Sequence, residues 1–171
     1  LMETNCDAVK LEGGKDMAPA VESMVKAGIS VVGHIGLTPQ TSVSFGGFKV
    51  QGGTPESAVA LIEDAKALEA AGAIGIVVEC VPSVVAKAMT EAVSIPIMGI
   101  GAGPDVDAQV MVTQDLLGMY GDFKPKFVKH FANIREEMIK GLNEFHTESL
   151  SGAFPTPEFS FNKAIELPRV Y

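Results

Sequence analysis

The sequence has few basic residues and no run of them. Thirteen lysine and arginine residues face 21 aspartate and glutamate residues, for a formal net charge of −8 at pH 7. Proteins that bind nucleic acid or an anionic membrane surface carry clustered positive charge. We therefore expect neither nucleic acid nor a membrane surface as a partner, although a small anion could still bind in a local basic pocket.

Cysteines and long apolar runs are equally scarce. Cys6 and Cys80 are too few for a disulfide framework in 171 residues, which favours the cytoplasm, or the mitochondrial matrix if the protein is eukaryotic. No stretch of about 20 apolar residues occurs, and the first ten residues lack the pattern of a signal peptide. We therefore expect no membrane-spanning helix. Hydrophobic residues still make up 47% of the chain, enough for one sizeable core.

What the sequence does contain is a regular alternation of strand and helix patterns. Apolar strand patterns cover residues 7–13, 29–37, 74–80 and 95–103, with a shorter one at 108–112. Amphipathic helix patterns cover residues 16–28, 54–73, 82–93 and, at the end, 126–147. Such alternation predicts an α/β fold with a parallel sheet, either an open doubly wound sheet or part of a (β/α)₈ barrel.

Polar residues recur where these strands end. Lys10 and Glu12 end the first strand, His34 the second, Glu79 the third, and the glycine-rich residues 99–103 the fourth. In parallel α/β folds, ligands bind at the carboxyl ends of the strands. The four strand ends therefore predict one shared site.

Each of these residues also has a structural interpretation. Lys10 and Glu12 could form an ion pair, or Lys10 could hold a carboxylate or ketone oxygen while Glu12 helps to bind Mg²⁺. His34 could be a core histidine. Glu79 follows an apolar strand, where desolvation would suit a general base. Residues 99–103 either approach a ligand closely or form a turn with positive φ. Cys80, next to Glu79 in the sequence, is interpreted as a residue packed in the core.

Six segments resemble one known family. In order they are VKLEGG, GHIGLTPQ, VVECVP, IPIMGIGAG, QDLLGM and FPTPEFSF, and they span residues 9–161. They are similar to signature segments of the ketopantoate hydroxymethyltransferase family, a (β/α)₈ barrel of the phosphoenolpyruvate/pyruvate type. The family makes ketopantoate, a precursor of pantothenate and coenzyme A, from 3-methyl-2-oxobutanoate and 5,10-methylenetetrahydrofolate.

The resemblance implies a role for four residues. It places Lys10 on the 2-oxo acid, Glu12 at or beside Mg²⁺, and Glu79 as the catalytic base. It places His34 next to Glu79 or the incoming hydroxymethyl group. The cofactors implied are Mg²⁺ and, as co-substrate, 5,10-methylenetetrahydrofolate.

The resemblance also implies that the chain is one part of a larger assembly. Residues 1–150 would be the C-terminal part of one barrel domain, and residues 151–171 a proline-containing arm. The family's first strands, which carry two aspartate ligands of Mg²⁺, have no counterpart in this sequence, so we expect an N-terminal half elsewhere. A homo-oligomer is expected as well, a decamer in the family.

Two other functions fit the same strand-end residues. One is a Mg²⁺-dependent C–C lyase acting on a 2-oxo acid, which would need no folate. The other is a non-catalytic half-barrel that serves as a binding or assembly module. Folate binding distinguishes the first alternative, and the effect of a Glu79→Gln change on turnover distinguishes the second.

Overall fold

The computed structural model describes residues 5–41, 47, 49–121, 124–166 and 168. Five strands occur among them: β1 (Ala8–Glu12), β2 (Ser30–Gly36), β3 (Gly75–Glu79), β4 (Ile97–Ile100) and β5 (Ala108–Gln109). The α-helices are α1 (Ala18–Lys26), α2 (Pro55–Ala70), α3 (Ser83–Ala92), α4 (Thr113–Leu116) and α5 (Ile134–Ser151). Short 3₁₀ helices cover Lys15–Met17 and Pro157–Phe159. The glycine- and serine-rich sequence at 36–53, which its composition predicts to be a loop, lies partly outside the described residues.

The chain divides into two compact units. The first contains residues 1–112 and 125–128, and the second contains residues 113–124 and 129–171. The sheet and helices α1 to α3 belong to the first unit, and α4 and α5 to the second. The predicted boundary at residue 151 stays a prediction. None of the described helices is long and apolar enough to cross a membrane.

The strand order distinguishes the two predicted architectures. All neighbouring strands are parallel, and their order in the sheet is the order along the chain, β1 to β5. A doubly wound sheet reverses its strand order near the middle, whereas a barrel adds each strand on the same side of the last. The fold is therefore α/β and consistent with part of a (β/α)₈ barrel.

The two faces of the sheet carry different residues because side chains alternate along each strand. One face packs against the helices and forms the core, which includes Val31, Ile35, Ile76, Val78 and Ile97 together with Val21, Leu68 and Met89 of α1, α2 and α3. The register places Lys10, Glu12, His34, Val77 and Glu79 on the other face. We call this second face the site face.

Helix α2 begins as its sequence predicts. The Thr54 hydroxyl accepts a hydrogen bond from the Ser57 backbone N–H, and the Ser57 hydroxyl accepts one from the Thr54 N–H. Pro55 occupies the first helical position, where its missing N–H costs nothing. Thr54 is thus the N-cap of α2.

The prediction of a helix over residues 126–147 was wrong in its bounds, because α5 begins at Ile134 and continues to Ser151. Backbone donors just before and at the start of α5 bond to another segment. The N–H of Phe131 donates to Leu116 O, and that of Ile134 donates to Leu117 O. His130 therefore lies outside α5, although the predicted helix included it, whereas His146 lies on α5; both side chains are exposed.

The far end of α2 is joined to the chain before β4 by a carboxylate. Glu69 accepts hydrogen bonds from the Ser94 backbone N–H at 2.7 Å and from the Ser94 hydroxyl at 2.5 Å. The Ser94 hydroxyl, then the Ser94 N–H, are the main groups that lower the pKa of Glu69 below its ordinary value of 4.5. Ionised Glu69 therefore stabilises the folded chain relative to the unfolded one.

We expect the hydrogen bonds between Glu69 and Ser94 to stabilise the chain less in acid than at neutral pH. A carboxyl group with a lowered folded pKa adds stability above its unfolded pKa, and loses it as the pH falls through the folded value. The extra stability of the wild type over Glu69→Gln should therefore be full at pH 7 and shrink as the pH falls below 4.5. Urea unfolding at several pH values measures this difference. Glu91→Gln, on exposed Glu91 of α3, is the control and should show no such trend.

Candidate active site

Three of the four predicted site residues meet on the site face. The register pairs Glu12 of β1 directly with His34 of β2, and Glu79 of β3 with Gly36, two residues beyond His34. Neighbouring strands are about 4.8 Å apart, so side chains at these positions come into contact. We call Glu12, His34 and Glu79 the carboxylate–histidine cluster.

His34 lies between the two carboxylates. Its Nε2 is 3.1 Å from Glu79 Oε2, and its Nδ1 is 3.6 Å from Glu12 Oε1. The His34 side chain is only 2% exposed, while those of Glu12 and Glu79 are 13% and 14% exposed. A buried imidazole between two partly buried carboxylates is an arrangement that can hold and move protons.

The His34 contacts are not yet good hydrogen bonds. The distance from His34 Nε2 to Glu79 Oε2 is short enough for a hydrogen bond, but the angle between the two groups is unsuitable. Neither ring nitrogen has a hydrogen-bond partner among the described residues. Catalytic hydrogen bonds are often long or poorly aligned until substrate binds. Among the described residues His34 is therefore not a hydrogen-bonded core histidine, and its catalytic role stays a prediction.

Local backbone conformation ends each strand next to a cluster carboxylate. Gly13, directly after Glu12, has φ +123°, and Cys80, directly after Glu79, has φ +49°. The Cys80 N–H donates to Ile100 O, and its carbonyl accepts from the Gln51 N–H. Both carboxylates therefore stand where the chain leaves the sheet.

Cys80 is not the core residue that the sequence suggested. It is only half-buried and lies outside the core cluster. Burial, and secondly the negative charge of Glu79, raise the pKa of the Cys80 thiol. A raised pKa disfavours the reactive thiolate, so Cys80 has no feature of a nucleophile.

Lys10 lies on the site face but apart from the cluster. It pairs in register with Val32, and its side chain is exposed. No ion pair joins it to Glu12 in the described part of the chain, where the Glu12 carboxylate faces His34 instead. The structural ion-pair interpretation of Lys10 is therefore unsupported, and its role in binding a 2-oxo acid stays a prediction.

Glu12 has a further partner that sequence reasoning missed. The backbone N–H of Gln40 donates to Glu12 Oε2 at 3.0 Å. Gln40 belongs to a turn after β2, within the TPQ sequence that follows His34 by four residues. Threonine followed by proline is a typical start of a helical turn, and that signal could have indicated it.

The glycine-rich residues after β4 form the turn that was one of their two interpretations. Gly101 and Gly103 have φ values of +62° and +85°. An added Cβ on Gly101 would lie 2.9 Å from the Phe127 ring, and one on Gly103 would lie 2.4 Å from Ser83 Cβ. Glycine is needed at these positions for conformation and close packing.

A cavity of about 220 Å³ includes in its lining Gly13, which follows Glu12, and Ile35, which follows His34. It is lined by residues that include Gly14, Gly36, Thr38, Leu61 and Asp64. Among the described lining residues Asp64 alone is ionisable, and its carboxylate accepts a hydrogen bond from the Lys15 N–H at 2.9 Å. The described lining includes no member of the carboxylate–histidine cluster, so the cavity is a separate feature.

The described residues do not by themselves form a metal site. No group of three or more histidine, cysteine, aspartate and glutamate side chains among them is placed to hold an ion. Glu12 is the candidate ligand, and one of its oxygens already accepts from Gln40. Mg²⁺ prefers an octahedral set of oxygen ligands, which Glu12 alone cannot supply.

Comparison with known proteins gives a consistent result. The family model for ketopantoate hydroxymethyltransferase matches residues 1–157. The chain is 53% identical over 171 residues to 3-methyl-2-oxobutanoate hydroxymethyltransferase of Heliobacterium modesticaldum, covering all of this chain and 62% of that protein. It is 52% identical over 164 residues to the protein of that name from Syntrophobacter fumaroxidans, covering 96% of this chain and 58% of the relative.

A third relative has the same name. The protein from Clostridioides difficile is 51% identical over 172 residues, covering all of this chain and 62% of its own length. The chain thus spans about three fifths of the length of these relatives. The family match covers nearly the whole chain, so the chain belongs to the ketopantoate hydroxymethyltransferase family.

Proposed function

We propose that this chain provides the catalytic base of an enzyme that converts 3-methyl-2-oxobutanoate to ketopantoate, with 5,10-methylenetetrahydrofolate as the one-carbon donor. The observation that carries the proposal is His34, buried between Glu12 and Glu79 at the carboxyl ends of parallel strands. The names of the relatives support hydroxymethyl transfer to 3-methyl-2-oxobutanoate, whereas the folate donor rests on the family resemblance alone. Because the chain spans three fifths of those relatives, the activity is proposed for the whole enzyme.

The chemistry is an aldol-type addition. The Glu79 carboxylate removes the proton from C3 of the oxo acid, and the electrons of that C–H bond form an enolate. Water hydrolyses the two C–N bonds that hold the one-carbon unit, so that its oxygen goes to the released formaldehyde carbon and its two hydrogens go to the folate nitrogens, which gives tetrahydrofolate. The enolate carbon then bonds to the formaldehyde carbon as the C=O π electrons move to oxygen, and the resulting alkoxide takes up the proton that was removed from C3. General-base catalysis of this kind contributes about 10²–10⁴-fold to a rate.

The other site residues assist this proton transfer. His34 Nε2 lies 3.1 Å from Glu79 Oε2, close enough to take up the abstracted proton when the two groups align. Exposed Lys10, on the same face, would hold the carboxylate of the oxo acid as a compact positive charge.

Mg²⁺ is part of the proposal only for the complete enzyme. When bound beside Glu12, it would acidify C3–H of the oxo acid by polarising the ketone. The described residues offer too few oxygen ligands for it, so further ligands must come from outside them. The homo-oligomer also stays a prediction.

The test compares the chain with a completed protein. The 171-residue chain is assayed alone and joined to the segment of the Heliobacterium modesticaldum relative that it does not match, with 3-methyl-2-oxobutanoate, 5,10-methylenetetrahydrofolate and Mg²⁺. Mass spectrometry detects ketopantoate. We expect product from the completed protein and little from the chain alone.

The same assay separates the alternatives. A completed protein that folds but makes no ketopantoate would refute the proposal. Calorimetry with tetrahydrofolate then distinguishes a lyase, which would not bind it, from the proposed transferase.

A further inference from the structure

We propose that Thr38 is a positioning residue, which holds the turn at residues 37–41 so that Glu12 and Glu79 stay correctly spaced on either side of His34. The inference rests on the proposed function for its effect on rate. Its structural part concerns only the carboxylate–histidine cluster and can be tested without any activity.

The turn is attached to both carboxylate residues. The Leu37 N–H donates to the backbone carbonyl of Glu79 at 2.8 Å, and the Gln40 N–H donates to Glu12 Oε2 at 3.0 Å. These two donors are three residues apart on one short segment. A shift of this turn would therefore move Glu12 relative to Glu79.

Thr38 fixes the shape of that segment. Its side chain is buried, with 5% exposure, and its hydroxyl lies 2.6 Å from the Thr41 hydroxyl. The Thr38 carbonyl accepts a hydrogen bond from the Thr41 N–H at 3.0 Å. Removal of this buried hydroxyl would leave the turn held only by the two bonds that the Thr41 N–H and the Thr41 hydroxyl, at 3.3 Å, donate to the Thr38 carbonyl, so the turn should be held less rigidly.

The position of the Glu12 carboxylate matters because one of its oxygens contacts Gln40 and the other faces His34. Oε2 is held by Gln40, while Oε1 is 3.6 Å from His34 Nδ1, slightly beyond hydrogen-bond length. A histidine that donates from Nδ1 leaves Nε2 free to accept, and here Nε2 faces Glu79. The turn thus determines whether Glu12 can select the His34 tautomer that takes a proton from Glu79.

The test removes one hydroxyl and reads the His34 ring directly. Thr38→Val eliminates the hydroxyl at nearly constant size, Thr38→Ser retains it, and Thr90→Val removes a threonine hydroxyl on α3 as a matched control. Nitrogen-15 spectra of the histidine-labelled 171-residue chain report the tautomer of His34. The exposed His130 and His146 serve as internal references.

We expect the His34 ring signals to move in Thr38→Val and to stay in Thr38→Ser and Thr90→Val. In the completed enzyme, Thr38→Val should lower kcat about tenfold with little change in KM, because a small displacement of a catalytic group lowers the rate. Unchanged His34 signals in folded Thr38→Val would overturn the inference. If the variant does not fold, Thr41→Val at an exposed position removes the partner hydroxyl and must move the same signals.

The two proposals fail differently. If the completed wild-type protein makes no ketopantoate, the proposed function fails, while the His34 spectra still test the turn. If ketopantoate is made but Thr38→Val behaves like the wild type in both measurements, only the positioning role is wrong.

Discussion

A Glu79→Gln change in the completed enzyme is expected to lower kcat for ketopantoate formation by about 10²–10⁴-fold, since glutamine cannot accept the C3 proton. Glutamine has nearly the same size and can still contact His34, so folding and binding of the oxo acid should change little. A steady-state assay together with calorimetric binding of 3-methyl-2-oxobutanoate separates the two effects.

Hydrogen exchange gives a sharper measurement of the same role. A catalytic base exchanges the C3 hydrogen of the oxo acid with deuterium from D₂O even when folate is omitted, and Glu79→Gln should abolish that exchange. Glu63→Gln, which neutralises a carboxylate on α2 that pairs with Lys66, serves as the control and should exchange normally. Normal exchange in Glu79→Gln would show that another group removes the proton.

Gly36→Ala is expected to cause a large loss of stability, because the new side chain would meet both conformational strain and a steric clash. Gly36 has φ +85°, and an added Cβ would lie 2.3 Å from the backbone carbonyl oxygen of Glu79. The left-handed conformation costs about 1–2 kcal/mol for a residue with a Cβ, and overpacking costs about 1–3 kcal/mol more. Urea unfolding should therefore show a free energy of unfolding lower by about 2–5 kcal/mol.

Gly28→Ala is the matched control for this measurement. Gly28 has φ +82°, almost the same conformation, but an added Cβ there meets no atom within 4 Å. The gain from restricting the unfolded chain is common to both variants. Gly28→Ala should lose only the conformational part, about 1–2 kcal/mol, and equal losses in the two variants would show that the contact with Glu79 is not tight.

The strand and helix pattern was largely predictable because each element carries its own local signals. Thr54 and Pro55 mark the start of α2, and runs of branched apolar residues mark the strands. The terminal helix was predicted eight residues too early, because local periodicity cannot detect that the N–H of Phe131 bonds to Leu116 O. Hydrogen bonds between distant segments leave no periodic pattern.

The candidate site was predictable in part for the same reason. An ionisable residue at the end of an apolar strand is a local signal, and it predicted Glu12, His34 and Glu79 as neighbours at one sheet edge. The role of the turn after β2 was not predictable, since the Gln40 N–H that holds Glu12 belongs to the backbone, which every residue carries. The separation of exposed Lys10 from Glu12 was likewise invisible.

By itself, the sequence determined that this chain alternates strands with helices and places ionisable residues at the strand ends, because both properties depend on residues close together in the chain. Only the tertiary structure decided that the strands follow one another in order and that His34 lies between two carboxylates. The physical reason is the register of parallel strands, in which a one-residue slip would turn Glu12 to the opposite face. Packing of Val31, Ile76 and Leu68 in the core selects that register.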